Sequence, residues 1–446
     1  MSKLKDSYWI TSGYYTFMHR IAELVFGFGS FWLLIRILDK TDFGVWVLLQ
    51  TVAAMIELAR LGFIQNAQIK FATGVSETEF REINSASLWL NGTITFATVI
   101  LLASIAHFLS VLWNAPKLEF ILYLYCVVTV LYAPFMQSVI LMQIKFNFKG
   151  IFYSHLVRLG LFFLVILYFF FANFQIELST LLYMMIVVSF FSIATAYYFS
   201  KPYWIFSSKV NFRWVKKIFH FGKYVFGTNL NSMLYRNVDQ MMIGSMLGPV
   251  PVATYNAASR ILNFVEAPLS SISTIVFPKT TERIRTEGLS SARYLYEKSV
   301  GLMIAIIFPA LIICLIFPEL IITILAGEEY LDSVVILQVI IFISLLKPFD
   351  RQSGVFLDAI GKPRLNFLIV LTSLSINVVL NYFLIMEYGL IGAAYATLLA
   401  TLVAVVISTI FLRHELTISI LKPFVYSVGF YKLGMEYILA FLKKKK

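Results

Sequence analysis

Residues 13–62 read GYYTFMHRIAELVFGFGSFWLLIRILDKTDFGVWVLLQTVAAMIELARLG. Two apolar runs, each of about 20 residues and so long enough to cross a bilayer, flank the polar turn Leu38-Asp39-Lys40-Thr41-Asp42-Phe43-Gly44. The runs carry charge where lipid would not tolerate it: Arg20, Glu23 and Arg36 before the turn, Glu57 and Arg60 after it. A version of the hairpin returns 209 residues later, placing Leu38 on Leu247, Trp46 on Tyr255, Gln50 on Ser259 and Glu57 on Glu266. Recurrence of a break, an aromatic and an acid together points to two related halves, which we expect to face each other across a cavity.

The composition fits this reading. With 59% hydrophobic and 13% charged residues and a mean hydropathy of +0.82, the chain has no polar exterior with which to cover a water-soluble core. The apolar runs are too continuous for barrel strands, which alternate over about ten residues. The sequence therefore predicts an all-α integral membrane protein. Polar breaks delimit helices near 13–38, 43–66, 86–113, 119–144, 151–172 and 178–200, then 218–247, 252–277, 299–318, 333–357, 365–386 and 389–412. The domains follow: an N-lobe at 1–200, a cytoplasmic linker at 201–217, a C-lobe at 218–412 and a basic tail at 413–446. Six helices per half give both halves the same orientation, related by an axis along the membrane normal.

A net charge of +12 would suit nucleic acid if it were clustered on a soluble face. Instead 27 of the 36 Lys and Arg residues fall in alternate loops, from Lys3 and Lys5 through Lys70 and Arg81, Lys145, Lys149 and Arg158, and on to Lys443–Lys446. That alternation marks the cytoplasmic side and places both termini there. The first run holds Arg20 and Glu23 and lacks a small-residue cleavage site, so we read it as a retained helix and not a signal peptide. The linker mixes Tyr203, Trp204, Phe206, Phe212 and Trp214 with basic residues. Such a segment can lie on an anionic leaflet or serve only to fix topology; both readings stay open. Pro423, Lys422, Lys432 and Glu436 interrupt the tail, which favours interfacial helices over a thirteenth span.

The intramembrane charges fall into stripes three or four residues apart, each along one helix face. Arg20, Glu23, Gly27 and Ser30 form one; Asn229, Ser232, Arg236 and Asp239 form its counterpart. Trp46, Gln50, Ala53, Glu57 and Arg60 correspond to Tyr255, Ser259, Leu262 and Glu266, with Arg260 alongside, and Lys347, Asp350 and Arg351 add a further group. An ionised side chain at the bilayer centre costs about 2.5–3.5 kcal/mol on insertion scales, so these groups must face one another or water. Pairing at i,i+3 is open to Arg20/Glu23, Glu57/Arg60 and Arg236/Asp239, and Arg36 can snorkel from a helix end. Cations outnumber acids, and arginine binds phosphate oxygens bidentately. Arg20, Arg36, Arg60, Arg236, Arg260, Arg351 and Lys347 are therefore the candidate substrate-binding residues. Glu57, Asp239, Glu266, Glu23 and Asp350 are the candidates for coupling a proton or Na+. Because only Glu57 has an arginine at i+3, we expect Glu57 to be ion-paired and Glu266 to titrate.

No G-x-x-x-x-G-K-[ST] phosphate loop occurs, the five histidines lack metal-ligand spacing, and Cys126 and Cys314 lie inside apolar runs. The expectation is a carrier and not an enzyme, without metal or other cofactor beyond a possible coupling ion.

Leu38 to Trp46 with its Phe43-Gly44, Val238-Asp239-Gln240-Met241-Met242-Ile243-Gly244 followed by Tyr255-Asn256-Ala257-Ala258, the run Gly354 to Lys362, and Gly389 to Thr397 carry a family likeness. In order and spacing the chain resembles the polysaccharide-repeat-unit (O-antigen and capsule) flippases of the multidrug/oligosaccharidyl-lipid/polysaccharide exporter superfamily, over nearly its whole length. The resemblance implies a twelve-helix, two-lobed, V-shaped carrier in the bacterial cytoplasmic membrane. It implies an isoprenoid-pyrophosphate-linked oligosaccharide as substrate, moved to the outer leaflet by alternating access, with a polysaccharide polymerase or other assembly proteins as partners and no nucleic acid. Relative to lipid II flippases the chain lacks two clear extra C-terminal helices. Two other functions compete: a cation-coupled multidrug exporter, and a non-transport scaffold of an envelope-glycan assembly complex.

Overall fold

A computed structural model describes the backbone of residues 2–174 and 176–444; within it the side chains of 2–11, 59–61, 224–225, 228–229, 231–232, 235, 434 and 437–444 are left aside. Arg60, Asn229, Ser232 and the terminal lysines therefore lie outside the described side chains. Fifteen α-helices carry the described chain: α1 Ser2–Ile37, α2 Lys40–Arg60, α3 Asn66–Ala72, α4 Glu77–Leu112, α5 Pro116–Ile144, α6 Phe148–Phe171, α7 Leu178–Ser200, α8 Phe212–Leu247, α9 Pro249–Glu287, α10 Ser290–Ile316, α11 Pro318–Leu325, α12 Val334–Ala359, α13 Pro363–Tyr388, α14 Leu390–Leu416 and α15 Lys422–Lys444.

Ten helical segments among the described residues are long and apolar enough to cross a membrane. α1 and α8, at 36 residues each, reach about 54 Å at 1.5 Å per residue, more than a bilayer core requires. Each of the twelve apolar runs read from the sequence falls on a helix, the second running from α2 through Leu61–Gln65 to the start of α3. Large apolar side chains such as Phe96, Phe108, Phe171, Tyr198 and Ile275 are more than half exposed, as lipid contact demands and water would penalise.

Helix ends depart from the hydropathy reading for local reasons. α2 begins at Lys40 because Asp39 caps it, its carboxylate accepting from the Asp42 N–H at 2.8 Å. α4 starts at Glu77, well ahead of its apolar stretch, with Ser76 accepting from the Glu79 N–H and Glu77 and Glu79 favourable at the positive helix end. Asn147 caps α6 in the same way through Gly150. α8, α9 and α10 likewise run into their basic flanks. Hydropathy marks the part of a helix that lipid would hold, whereas caps and backbone hydrogen bonds set where it stops.

The chain divides into two compact units, residues 1–237 with 247–253, and residues 238–246 with 254–446. In the first, α2 passes through a π-helical turn, Leu61–Gln65, into α3. Here α8 comes backbone to backbone with it: a Cβ on Gly62 would lie 2.6 Å from Phe226 Cα, and one on Gly222 equally close to Phe63 Cα. Phe63 stacks on Phe219 and Phe226. The segment 201–211 packs onto α4. Ser85 and Ser207 exchange hydrogen bonds, Asn84 donates to the Ile205 carbonyl, and Asn211 donates to Glu82. Tyr203, Trp204, Ile205 and Trp214 pack against the buried cluster of Phe80, Ile83, Ile144 and Ile218.

In the second unit, Tyr296, Phe349, Phe356, Leu357 and Leu412 form the core. α15 packs against the rest of this unit. It runs beside α10 in the same direction, Gly301 facing Pro423, Tyr426 and Ser427 and Tyr431 donating to the Ala305 carbonyl at 2.7 Å. The missing Gly301 side chain lets the two helices touch, a small-residue packing common between membrane helices. The connection before α15 is pinned by Glu297, 1% exposed, which accepts from Arg293 at 3.1 Å and the Ser419 N–H at 2.8 Å, with Lys422 3.9 Å away.

Candidate functional site

The second unit holds a buried acid with no charged partner among the described residues. Asp239, on α8, is 8% exposed. Its Oδ1 accepts from Asn381 of α13 at 2.7 Å; its Oδ2 accepts from Thr397 of α14 at 2.6 Å and Tyr255 of α9 at 3.0 Å. Asn381 also donates to Asn377 Oδ1 at 3.1 Å, and Asn377 donates to Thr397. The Asn381 carbonyl oxygen is buried without a donor, and the Ala393 carbonyl lies 3.1 Å from the Thr397 hydroxyl. The Asp239/Arg236 pair open at i,i+3 does not form: among the described residues no cation reaches this carboxylate. Its partners are three neutral groups brought by three other helices.

The local sequence explains the convergence. Ser373, Asn377 and Asn381 recur every fourth residue and lie on one buried face of α13. Gly389, at φ +60°, a backbone region that glycine enters without steric cost, is the one residue between α13 and α14, so Asn381 and Thr397 return to the same level. Both are about seven or eight residues from that turn, roughly 11 Å along each helix, at the end away from the basic loop of Lys362 and Arg364.

A single negative charge in a water-poor site with only neutral donors needs a counter-charge, because an unpaired buried ion costs several kcal/mol. The surrounding atoms are oxygens apart from the amide nitrogens of Asn381 and Asn377, and the orphaned Asn381 oxygen points to a further donor or cation. Such a set suits a proton or a hard monovalent cation. A divalent ion would call for more carboxylates, and no group of three or more His, Cys, Asp or Glu among the described residues could hold a metal ion.

A second polar group in this unit is charge-balanced. Glu266 of α9 lies 3.9 Å from Lys347 and 4.0 Å from Arg351, both of α12, and Lys347 lies 3.7 Å from Asp350. Glu266 is therefore not the unpartnered acid expected from the sequence, because α12 supplies cations that i+3 arithmetic along α9 cannot see. Arg260 is half-buried on α9, and Arg236 is exposed on α8.

In the first unit, Arg20 pairs with Glu23 at 2.8 Å while remaining 74% exposed. His19 approaches the same carboxylate at 3.5 Å, and its ring lies 4.5 Å from that of His155. Arg36 donates to the Trp32 carbonyl at 2.9 Å and stacks over the Trp32 ring, finishing α1 as a snorkelling residue would. Glu57 is met by Arg158 of α6 at 3.4 Å; Arg60, its i+3 neighbour, lies outside the described side chains. Arg158 lies over the Tyr132 ring inside the span, not among the loop charges with which the sequence reading grouped it. The stripe logic thus located Asp239, Glu57 and Glu266 but missed Arg158, Asn377, Asn381 and Thr397. The fourfold recurrence of polar residues in the apolar run of α13 was the available signal.

Comparison with known proteins fits this architecture. The chain is 25% identical over 203 residues to a putative O-antigen transporter of Shigella flexneri, covering 45% of this chain and 48% of that protein. It is 23% identical over 219 residues to a probable low-salt glycan biosynthesis flippase of Haloferax volcanii, covering 49% and 46%. The matched region thus spans about half the length of these relatives. Among solved structures, the lipid II flippase MurJ in an inward closed conformation shares the fold at a TM-score of 0.73, with 16% identity over 97% of this chain and 93% of that one. An inward-facing multidrug resistance MATE family transporter of the MOP superfamily does so at 0.71, with 12% identity over 88% and 94%. Residues 33–335 match the polysaccharide biosynthesis protein family, and the chain belongs to that family.

Proposed function

We propose that this multi-pass membrane protein translocates an isoprenoid-pyrophosphate-linked oligosaccharide across the cytoplasmic membrane, driven by a proton or Na+ bound at Asp239. The observation that carries the reading is the buried, uncompensated Asp239 carboxylate beside the orphaned Asn381 oxygen, in a member of a polysaccharide biosynthesis family. A carrier needs a site whose charge state differs between steps, and an acid with only neutral partners changes charge whenever the ion leaves. Asp239, Asn381, Thr397 and Tyr255 hold the ion. Arg20, Arg36, Arg60, Arg236, Arg260, Arg351 and Lys347 serve the anionic head group; Glu57, Glu266, Glu23 and Asp350 balance these cations. The basic loops face the cytoplasm, and a polymerase or other assembly proteins take the product.

The test is reconstitution of the pure chain in liposomes with a labelled lipid-linked oligosaccharide. Label should cross under an imposed Na+ or proton gradient, and Asp239→Asn should abolish the dependence on that gradient. Gradient-driven efflux of small cationic drugs in place of the lipid would give the multidrug reading. Absence of any movement by the pure chain would give the scaffold reading.

A further inference from the structure

The first unit carries a second polar feature that the transport reading does not use. Between α3 and the first turns of α8 lies a cleft of about 770 Å³ lined by Phe71, Lys216, Lys217, Phe219, His220 and Phe221. Lys70, at its edge, places its ammonium 4.3 Å from the centre of the Phe221 ring, and Lys217 places its own 4.7 Å from Phe71 and 4.3 Å from Trp214. Among the described residues no carboxylate pairs with Lys70, Lys216 or Lys217. We propose that this cleft binds the headgroup of an anionic phospholipid from the leaflet at the basic face.

Three observations support that occupant. The charges are lysine ammonium groups, point charges suited to a phosphodiester monoanion, and the bidentate guanidinium forks that favour a more highly charged phosphate are missing from the lining. The walls are aromatic rings, with Phe219 almost half exposed, and rings beside cations are the composition that settles at a membrane–water boundary. A sugar would need hydrogen-bonding groups for its hydroxyls, yet the lining offers only rings, two ammonium groups and one imidazole, which argues against the glycan of the proposed substrate. The lysines, on α3 and the first turns of α8, belong to the basic side that faces the anionic cytoplasmic leaflet in the proposed orientation.

The cleft is also well placed to keep its shape. It borders the backbone-to-backbone crossing at Gly62 and Gly222, and Phe219, one of its walls, stacks on Phe63 of the π-helical turn. A bound headgroup would therefore sit against a fixed wall and lose little affinity to ordering the protein.

The full chain in detergent, titrated with phosphatidylglycerol or phosphatidylcholine and read by native mass spectrometry, tests the idea. Phosphatidylglycerol should bind at least tenfold more tightly. Lys216→Ala with Lys217→Ala should lower its affinity by about five-fold per lysine removed, while Lys216→Arg with Lys217→Arg should keep most of it. Phe71→Ala with Phe219→Ala should weaken both lipids together. Should the alanine pair fail to insert, Lys216→Gln with Lys217→Gln in a membrane-inserted preparation gives the same readout. Equal affinity for the two lipids, or an unchanged preference in the lysine variants, overturns the proposal. Displacement of the lipid by equimolar inorganic phosphate would leave only an anion site, and displacement by an isoprenoid pyrophosphate at lower concentration would give the cleft to the transported substrate. Either result also overturns it.

Discussion

Asn381 donates its amide N–H to the Asp239 carboxylate at 2.7 Å while its own carbonyl oxygen, buried beside it, receives no hydrogen bond. The pair presents a negative charge and an unsatisfied oxygen to the same small space. Each would gain from one incoming positive species.

Asp239→Asn removes the charge and keeps the shape. We expect gradient-driven transport to fall at least tenfold. The protein itself should melt no lower than wild type in buffer without Na+, because a buried uncompensated charge has been deleted. A melting temperature clearly below wild type under those conditions would show that the carboxylate is structural. Asn381→Leu should also impair transport, and it should lower stability by about 1–3 kcal/mol by stripping a hydrogen bond from the remaining ion.

The crossing at Gly62 and Gly222 leaves no room for a side chain. Gly62→Val and Gly222→Val should each cost about 1–3 kcal/mol through forced backbone displacement, measured as detergent-solubilised melting. Gly27→Ala, where a Cβ meets nothing within 4 Å, is the control and should be neutral or slightly stabilising, since alanine is the better helix former. Equal loss in all three variants would remove the steric explanation.

Glu57 and Arg158 are both partly exposed, and their 3.4 Å contact is a modest one. A double-mutant cycle with Glu57→Gln and Arg158→Gln should return a coupling of about 1 kcal/mol or less, shrinking as salt is added. A coupling near zero at low salt would mean that Arg158 is held by the Tyr132 ring alone.

Glu297 gathers Arg293, Lys422 and the Ser419 N–H around one buried carboxylate. Glu297→Ala should destabilise by about 1–2 kcal/mol, since it strips hydrogen bonds from Arg293 and the Ser419 N–H while the partly exposed Arg293 and Lys422 can return to water, and should expose residues 417–421 to protease. Tyr431→Phe, which loses one hydrogen bond to Ala305, should cost about 1 kcal/mol. If neither change alters proteolysis, α15 is held chiefly by other contacts.

The all-helical architecture and the order of its long apolar helices were legible from hydropathy, because lipid imposes about the same apolar length on each span; ten of these segments among the described residues are long and apolar enough to cross a membrane. Acids on the repeat stripe were legible too, since charge inside an apolar run is conspicuous, and Arg20/Glu23 paired within one turn as its spacing permits. What stayed hidden was partnership across helices. Glu266 looked uncommitted because one-dimensional spacing counts only neighbours on the same helix, whereas Lys347 and Arg351 arrive from α12, just as Arg158 reaches Glu57 from α6. Asn377 and Asn381 were readable as a recurring polar face, but neutral amides draw less notice than charges. Thr397 stood out only as the end of the stretch from Gly389 that carries the family likeness. The packing of the tail on α10 was not legible, because Gly301, which admits it, lies more than a hundred residues away.

The turn at Gly389 bears on how an ion could be felt by the protein. Joined by one residue, α13 and α14 behave as a single clasp, so Asn381 and Thr397 are two prongs of one fastener closing on Asp239. An arriving Na+ or proton would tighten that fastener instead of gathering independent helices. Its occupancy can therefore be read without any substrate: if Na+ is the ion, melting should rise with its concentration and gain about 2.7 kcal/mol at a hundred times its dissociation constant. The same titration on Asp239→Asn should be flat.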